Sequence, residues 1–249
     1  MDIWAECNGH EAIVPIAGGL VRVVESQEQV ATNALVDDLN EQALLEEILE
    51  ASKPSPHPEG HSLHYLLTTP FRYPPLPHGS RFGGKHEPSL FYAAQEISVA
   101  LAETAYYRFV FWLGMVDPPP SGSLTTEHMA FGSSYETELG MRLHAPPFDR
   151  FASELTNPED YSATQALGSQ MRDSGVQAFE YRSARDPGQG LNVALYSPGA
   201  FASSGPEWQR AWICDTRAAK VSFFNKISGS VGFSLEQFLV SGRLPTPAV

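Results

Sequence analysis

Residues 69–108 read TPFRYPPLPHGSRFGGKHEPSLFYAAQEISVALAETAYYR, and three unlike pieces stand end to end in them. Arg72 sits in an aromatic, proline-locked turn, and Arg81 in a glycine-bearing basic loop. A short apolar segment, residues 90–94, then leads into a helical pattern that holds Glu103. Prolines push the preceding residue to extended geometry, so Tyr73 is held with little backbone freedom. Between residues 95 and 113, Ile97, Leu101, Ala105 and Phe109 form one helical stripe, with Val99, Ala102 and Tyr106 beside it. Gly114 and the prolines at 118, 119 and 120 end it. Cationic anchors, an aromatic platform and one carboxylate are the parts needed to hold an anionic, ring-containing ligand and act on it.

Downstream, residues 127–143 place Met129, Phe131, Tyr135 and Leu139 at strand-like alternation, interrupted by Gly132 and Gly140. Residues 162–172 predict a helix ended by Gly175. Residues 176–181 and 191–196 predict strands flanking a loop, 211–214 and 220–224 a late strand pair, and 235–240 a last helix. Upstream, residues 64–69 read as a strand entering the proline-rich turn, and 18–25 as a strand or an extended arm. Leu35, Val36, Leu39, Ala43, Leu45, Ile48 and Leu49 recur at near-helical spacing among acidic residues. That is an amphipathic helix stopped by Lys53-Pro54, either packed on its own domain or offering a surface to a partner or a second copy. After residue 120 strands outnumber helices without regular alternation, which predicts an α+β fold rather than a doubly wound parallel sheet.

A chain of 249 residues, 42% hydrophobic and 18% charged, has the balance of a soluble globular protein. No apolar run approaches the ~20 residues of a membrane helix. Acids stand near the N-terminus where a signal peptide would be basic. Cys7 and Cys214 are too few and too distant for a disulfide framework or a CxxC site. The expected location is the cytoplasm, with no membrane partner. A net charge of −13 argues against a nucleic-acid surface. Residues 1–60 hold 12 acids and 2 basic residues, so we place an acidic N-terminal extension at 1–58 and the main domain at 59–249.

There is no GxGxxG after a strand, no GxxxxGK[ST], no GxSxG and no HExxH. His57, His61 and His64 cluster without an acidic or cysteine companion at metal spacing, so no metal site is expected. Glu103 lies in an otherwise apolar helix and should be partly desolvated unless a cation or hydroxyl pairs with it. Tyr92 alternates with Phe91 between two sides of a strand. Arg72 and Arg81, beside aromatics and glycines, suit an anion or phosphate. Ser183, in YRSAR, lacks a partnered histidine and is better placed as a hydrogen-bond donor or turn former than as a nucleophile.

Taken together, Phe71-Arg72-Tyr73, Gly79-Ser80-Arg81-Phe82, Leu90-Phe91-Tyr92-Ala93-Ala94, Ala100-Leu101-Ala102-Glu103 and Arg182-Ser183-Ala184 resemble the RES domain, over roughly residues 60–225. Many shorter members have a tryptophan after the loop arginine, where this chain has Phe82-Gly83-Gly84-Lys85-His86. The resemblance implies an ADP-ribosyltransferase-like fold, a split mixed or antiparallel sheet flanked by helices, here with an acidic helical extension. It implies the toxin of a RES–Xre toxin–antitoxin pair, which depletes NAD by hydrolysis or phosphorolysis at the nicotinamide–ribose bond. Transfer of ADP-ribose to a protein is the alternative enzyme; a partner-binding module with an inactive NAD fold is the alternative outside enzymes. By position, Arg72 and Arg81 would hold the dinucleotide, Tyr92 would pack on the nicotinamide side, Glu103 would be the catalytic carboxylate, and Ser183 would bind the ribose or nicotinamide end. Tyr73 is a lesser member of the same pocket. The implied partners are an Xre-type antitoxin and NAD, with a homodimer as a candidate assembly; NAD is substrate, and no cofactor is expected.

Overall fold

The computed structural model describes residues 2–26, 36–55 and 57–246. Its strands are β1 (Val14–Glu25), β2 (Phe91–Ala94), β3 (Leu124–Arg142), β4 (Ala178–Arg182), β5 (Leu191–Leu195), β6 (Trp208–Thr216), β7 (Lys220–Asn225) and β8 (Gly229–Ser234). They form one sheet in the order β1-β2-β5-β4-β3-β6-β7-β8, and β1 also pairs with β3. That extra pairing closes β1, β2, β5, β4 and β3 into a ring, from which β6, β7 and β8 extend as a flap. Among the described residues only β3 and β4 run parallel; the other strand pairings are antiparallel.

The sheet splits along β3. One edge pairs with β1 from His128 to Gly140. The other pairs with β6 from Leu124 to Gly132, then with β4 from Gly140 to Arg142. A Cβ on Gly132 would come within 2.0 Å of the Trp208 indole, and one on Gly140 within 2.2 Å of Ile16. The two glycines therefore mark close approach by a neighbour rather than a break in the strand.

Six helices flank the sheet among the described residues: α1 (Ile3–Glu6), α2 (Leu39–Ser52), α3 (Tyr65–Arg72), α4 (Ile97–Leu113), α5 (Ala152–Leu155) and α6 (Ser162–Asp173). The expected α+β class is the fold that the chain adopts. On α4, Leu101, Ala102, Ala105, Tyr106 and Phe109 bury against Trp212, Val221, Phe223 and Phe233 of the flap. Its first turn packs Val99 and Ala100 on Val21 and Ala94 of the ring. One helix thus braces both parts of the split sheet, and its remaining side is free to face a cleft.

Several expectations change. Residues 65–72 are helical, not extended: His64 Nδ1 accepts from the Leu66 N–H at 3.2 Å as an N-cap, and Leu66 and Leu67 bury on the core. The Thr68 and Thr69 hydroxyls donate back to the Tyr65 carbonyl within this helix. The segment at 18–25 is a full strand, and β1 lies in the same sheet as β2 and β3, so the sheet crosses the 58/59 boundary. The last helix is a single 3-10 turn, Leu235–Phe238. In the acidic helix, now α2, Asp38 caps the N-terminus and Leu39, Leu44 and Ile48 are exposed. Its apolar stripe is thus largely uncovered among the described residues; Leu35 lies outside them.

His128, on β3 and 2% exposed, packs beside Phe223. Burial, with the nearby Arg108 charge added, holds its imidazole down at about 4 from 6.5. The unfolded chain therefore takes up this proton first as pH falls, and stability declines from about pH 6.5 to about pH 4. The shift corresponds to about 3 kcal/mol. His128→Leu should flatten that part of the stability–pH curve measured by urea unfolding, whereas a slope equal to wild type would assign it elsewhere.

Candidate active site

A cleft of about 440 Å³ opens between α4, β2, β5, the Arg81 loop and β1. From α4 it receives Ala100, Glu103, Thr104 and Tyr107, whose spacing of three, four and seven residues puts them on one helical face. The opposite face of that helix is the buried stripe, so core packing itself aims Glu103 into the cleft. Tyr92 of β2, Asn192 of β5 and Tyr181 of β4 supply much of the wall.

Glu103 is held by two donors on one oxygen. Ser183 Oγ donates to its Oε1 at 2.6 Å and Asn192 Nδ2 at 2.8 Å. Ser183 reaches it because the loop after β4 closes tightly: its N–H donates to the Gly190 carbonyl at 2.8 Å. A Cβ on Gly190 would lie 2.3 Å from Val99, so the loop needs glycine there to sit on α4. The Ser183 hydroxyl also accepts from the N–H groups of Arg185 at 3.1 Å and Asp186 at 2.9 Å. One donor and two acceptors exhaust a hydroxyl. Fully buried and saturated, Ser183 is a turn former and a holder of Glu103, not a nucleophile.

Three arginines line the cleft: Arg22, Arg81 and Arg185. None has a carboxylate within ion-pairing distance among the described residues. The Arg81 guanidinium lies 4.5 Å over the Tyr161 ring and donates to the Asn157 carbonyl at 2.8 Å. Arg185 stacks 3.7 Å from the Tyr106 ring and donates to the Pro158 carbonyl and the Tyr161 hydroxyl, both at 2.9 Å. Arg22 donates to the Tyr92 carbonyl at 2.6 Å over the Phe91 ring, and burial holds it down at about 10. Carbonyls and rings orient these cations without neutralising them. In a chain of net charge −13, the cleft has a local excess of positive charge.

Tyr92 shows its ring to the cleft, while its hydroxyl sits 2.8 Å from Ser80 Oγ and accepts from the Phe82 N–H at 3.1 Å. Burial pushes that hydroxyl up to about 12. It pins the Arg81 loop, as does Gln165, whose Nε2 donates to the His78 and Ser80 carbonyls at 3.1 and 2.9 Å.

Of the residues expected from sequence, the structure brings together Arg81, Tyr92, Glu103 and Ser183. It does not bring Arg72, which donates to Glu50 at 2.7 Å and to the Pro54 carbonyl, tying α3 to α2. Tyr73 is extended as expected but is half-exposed, and neither it nor Arg72 lines the cleft. Arg22, Arg185 and Asn192 were not foreseen. The available signal for Arg22 was a lone cation inside an apolar strand pattern.

A cleft lined by three arginines around a held carboxylate, set in a split α+β sheet, is what the fold and site define. Residues 57–214 match the RES domain, and the chain belongs to that family. No curated protein sequence matches it. Among solved structures it is similar to a chain of the crystal structure of the M. tuberculosis MbcT-MbcA toxin-antitoxin complex, with a TM-score of 0.49 and 9% identity over 84% of this chain and 90% of that one. No helix among the described residues is long and apolar enough to cross a membrane.

Proposed function

We propose that this chain cleaves the nicotinamide–ribose bond of NAD and acts as the toxin of a toxin–antitoxin pair. The observation that carries the reading is the juxtaposition of Glu103, gripped through Oε1, with three arginines that lack counter-charges among the described residues. A pyrophosphate is the kind of anion that guanidinium forks suit. The Tyr92, Tyr107 and Tyr181 rings offer apolar surface for a flat base.

In the reaction, the glycosidic bond pair leaves with nicotinamide as a neutral ring, so no strong acid is needed. The ribose carbon left behind has oxocarbenium character. Glu103 Oε2, which has no protein partner among the described residues, is the oxygen available to stabilise that charge and to accept from a ribose hydroxyl. Such a group is typically worth ~2.7–4 kcal/mol of barrier. Water or phosphate then attacks the same carbon; a protein side chain attacking there would make the chain a transferase.

An unrestrained NAD consumer would harm its own cell, so the proposed partner is an antitoxin of the Xre type. Expression without that partner should stop growth and lower cellular NAD, with both effects relieved by Glu103→Gln. Unimpaired growth with wild-type protein at full NAD would overturn the reading. Growth arrest at full NAD, accompanied by an ADP-ribosylated protein, would replace depletion by transfer.

A further inference from the structure

We infer that Asn192 is a positioning residue for Glu103, an inference that rests on reading this cleft as the NAD-cleaving site. Asn192 Nδ2 and Ser183 Oγ reach the same Oε1 from different elements, β5 and the loop after β4. One donor would let the carboxylate pivot about a single contact. Two donors converging on one oxygen fix its plane and leave Oε2 as the oxygen turned to the substrate.

The second observation is on the other end of the same amide. Asn192 is 3% exposed, and its Oδ1 is buried with no hydrogen-bond partner among the described residues. An orphaned buried acceptor is destabilising, so packing alone gives no reason to keep an asparagine here. Reversing the amide gives no relief, since Oδ1 would then face the carboxylate oxygen and the bond to Glu103 would be lost. The orientation is therefore dictated by Glu103 alone, and the fold tolerates an unsatisfied atom to keep it. Asn192 also sits on a strand paired on both sides, opposite Ala94 of β2 and Tyr181 of β4. Such a central strand gives a group finer placement than a loop does.

Two variants separate aim from packing. Asn192→Leu keeps the branched outline of the side chain, with bulkier ends, and removes both polar groups. It should melt at or above the wild-type temperature, while kcat for nicotinamide release falls about 10–100-fold and KM changes little, the size expected when a reacting group is misplaced. Asn192→Asp sets a second carboxylate against Glu103, and one of the two must hold the proton near neutrality. At acid pH the protonated Asp donates to Oε1 as Asn192 does; at higher pH it repels Glu103. Its kcat should therefore fall as pH rises, a limb absent from wild type and from the Leu variant. The other titratable groups around Glu103 add no such limb. Tyr106, Tyr107 and Tyr181 are phenols pushed up by burial, and the remaining charged side chains that line the cleft are Arg22, Arg81 and Arg185.

Wild-type kcat in Asn192→Leu would overturn the inference, as would joint loss of stability and activity in it with a wild-type pH profile in Asn192→Asp. If wild-type protein releases no nicotinamide from NAD, the functional reading itself fails. The Asn192→Leu crystal structure then decides: a Glu103 side chain turned away from Ser183 supports the positioning role, and an unmoved one refutes it.

Discussion

Glu103→Gln should slow nicotinamide release from NAD by about 10²–10³-fold, with KM nearly unchanged and the melting temperature close to wild type. The reason lies in how the side chain is held. Ser183 and Asn192 both donate to Oε1, so a glutamine keeps its carbonyl oxygen there and its fold contacts intact. Its NH2 then occupies the Oε2 position, and a donor replaces an anionic acceptor where positive charge develops on the ribose. In the proposed reaction the arginines carry ground-state binding, so the substitution should leave that untouched and cost only the transition state its partner. Kinetics on purified protein check this, and an unchanged kcat would remove Glu103 from the chemistry.

Arg22→Met should raise KM for NAD about 10–100-fold while leaving the protein as stable as wild type or more so. Methionine keeps an apolar stem over Phe91 and deletes a half-buried guanidinium that has no counter-charge among the described residues and is held down at about 10 by desolvation. Removing a partly desolvated, uncompensated charge relieves desolvation in the free protein, but it also removes the attraction that a bound pyrophosphate would satisfy. Arg72→Met is the internal control. Its guanidinium serves Glu50 and Pro54 away from the cleft, so KM should stay at the wild-type value. The opposite ranking, with Arg72 decisive and Arg22 silent, would relocate the anion site.

Local pattern explains which parts were legible. The stripe of Leu101, Ala105 and Phe109 announced α4, and these three residues are at most 1% exposed. Glu103 stood out because it interrupts the apolar surroundings that aim it. Ser183 was legible as a turn former, and the saturated hydroxyl shows why. Interaction between distant segments hid the rest. Arg22 lies 70 residues from Tyr92, whose carbonyl it contacts, and only the β1–β2 and β1–β3 pairings carry it to the cleft. Asn192 reads as an ordinary strand residue until Glu103 is placed opposite its amide. The flap strand β8, with glycines at 229 and 232, has too weak an alternation to announce itself. Gly132 and Gly140 looked like interruptions of β3 because the indole and the isoleucine that need their space are far away in sequence.

The most direct test incubates purified protein with NAD, with and without phosphate, and follows free nicotinamide beside the Glu103→Gln variant. The expected result is release by wild type in at least one condition, about 100-fold or more faster than by the variant. No release by wild type in either condition, or equal release by both proteins, would contradict the assignment of this cleft and its carboxylate to NAD cleavage.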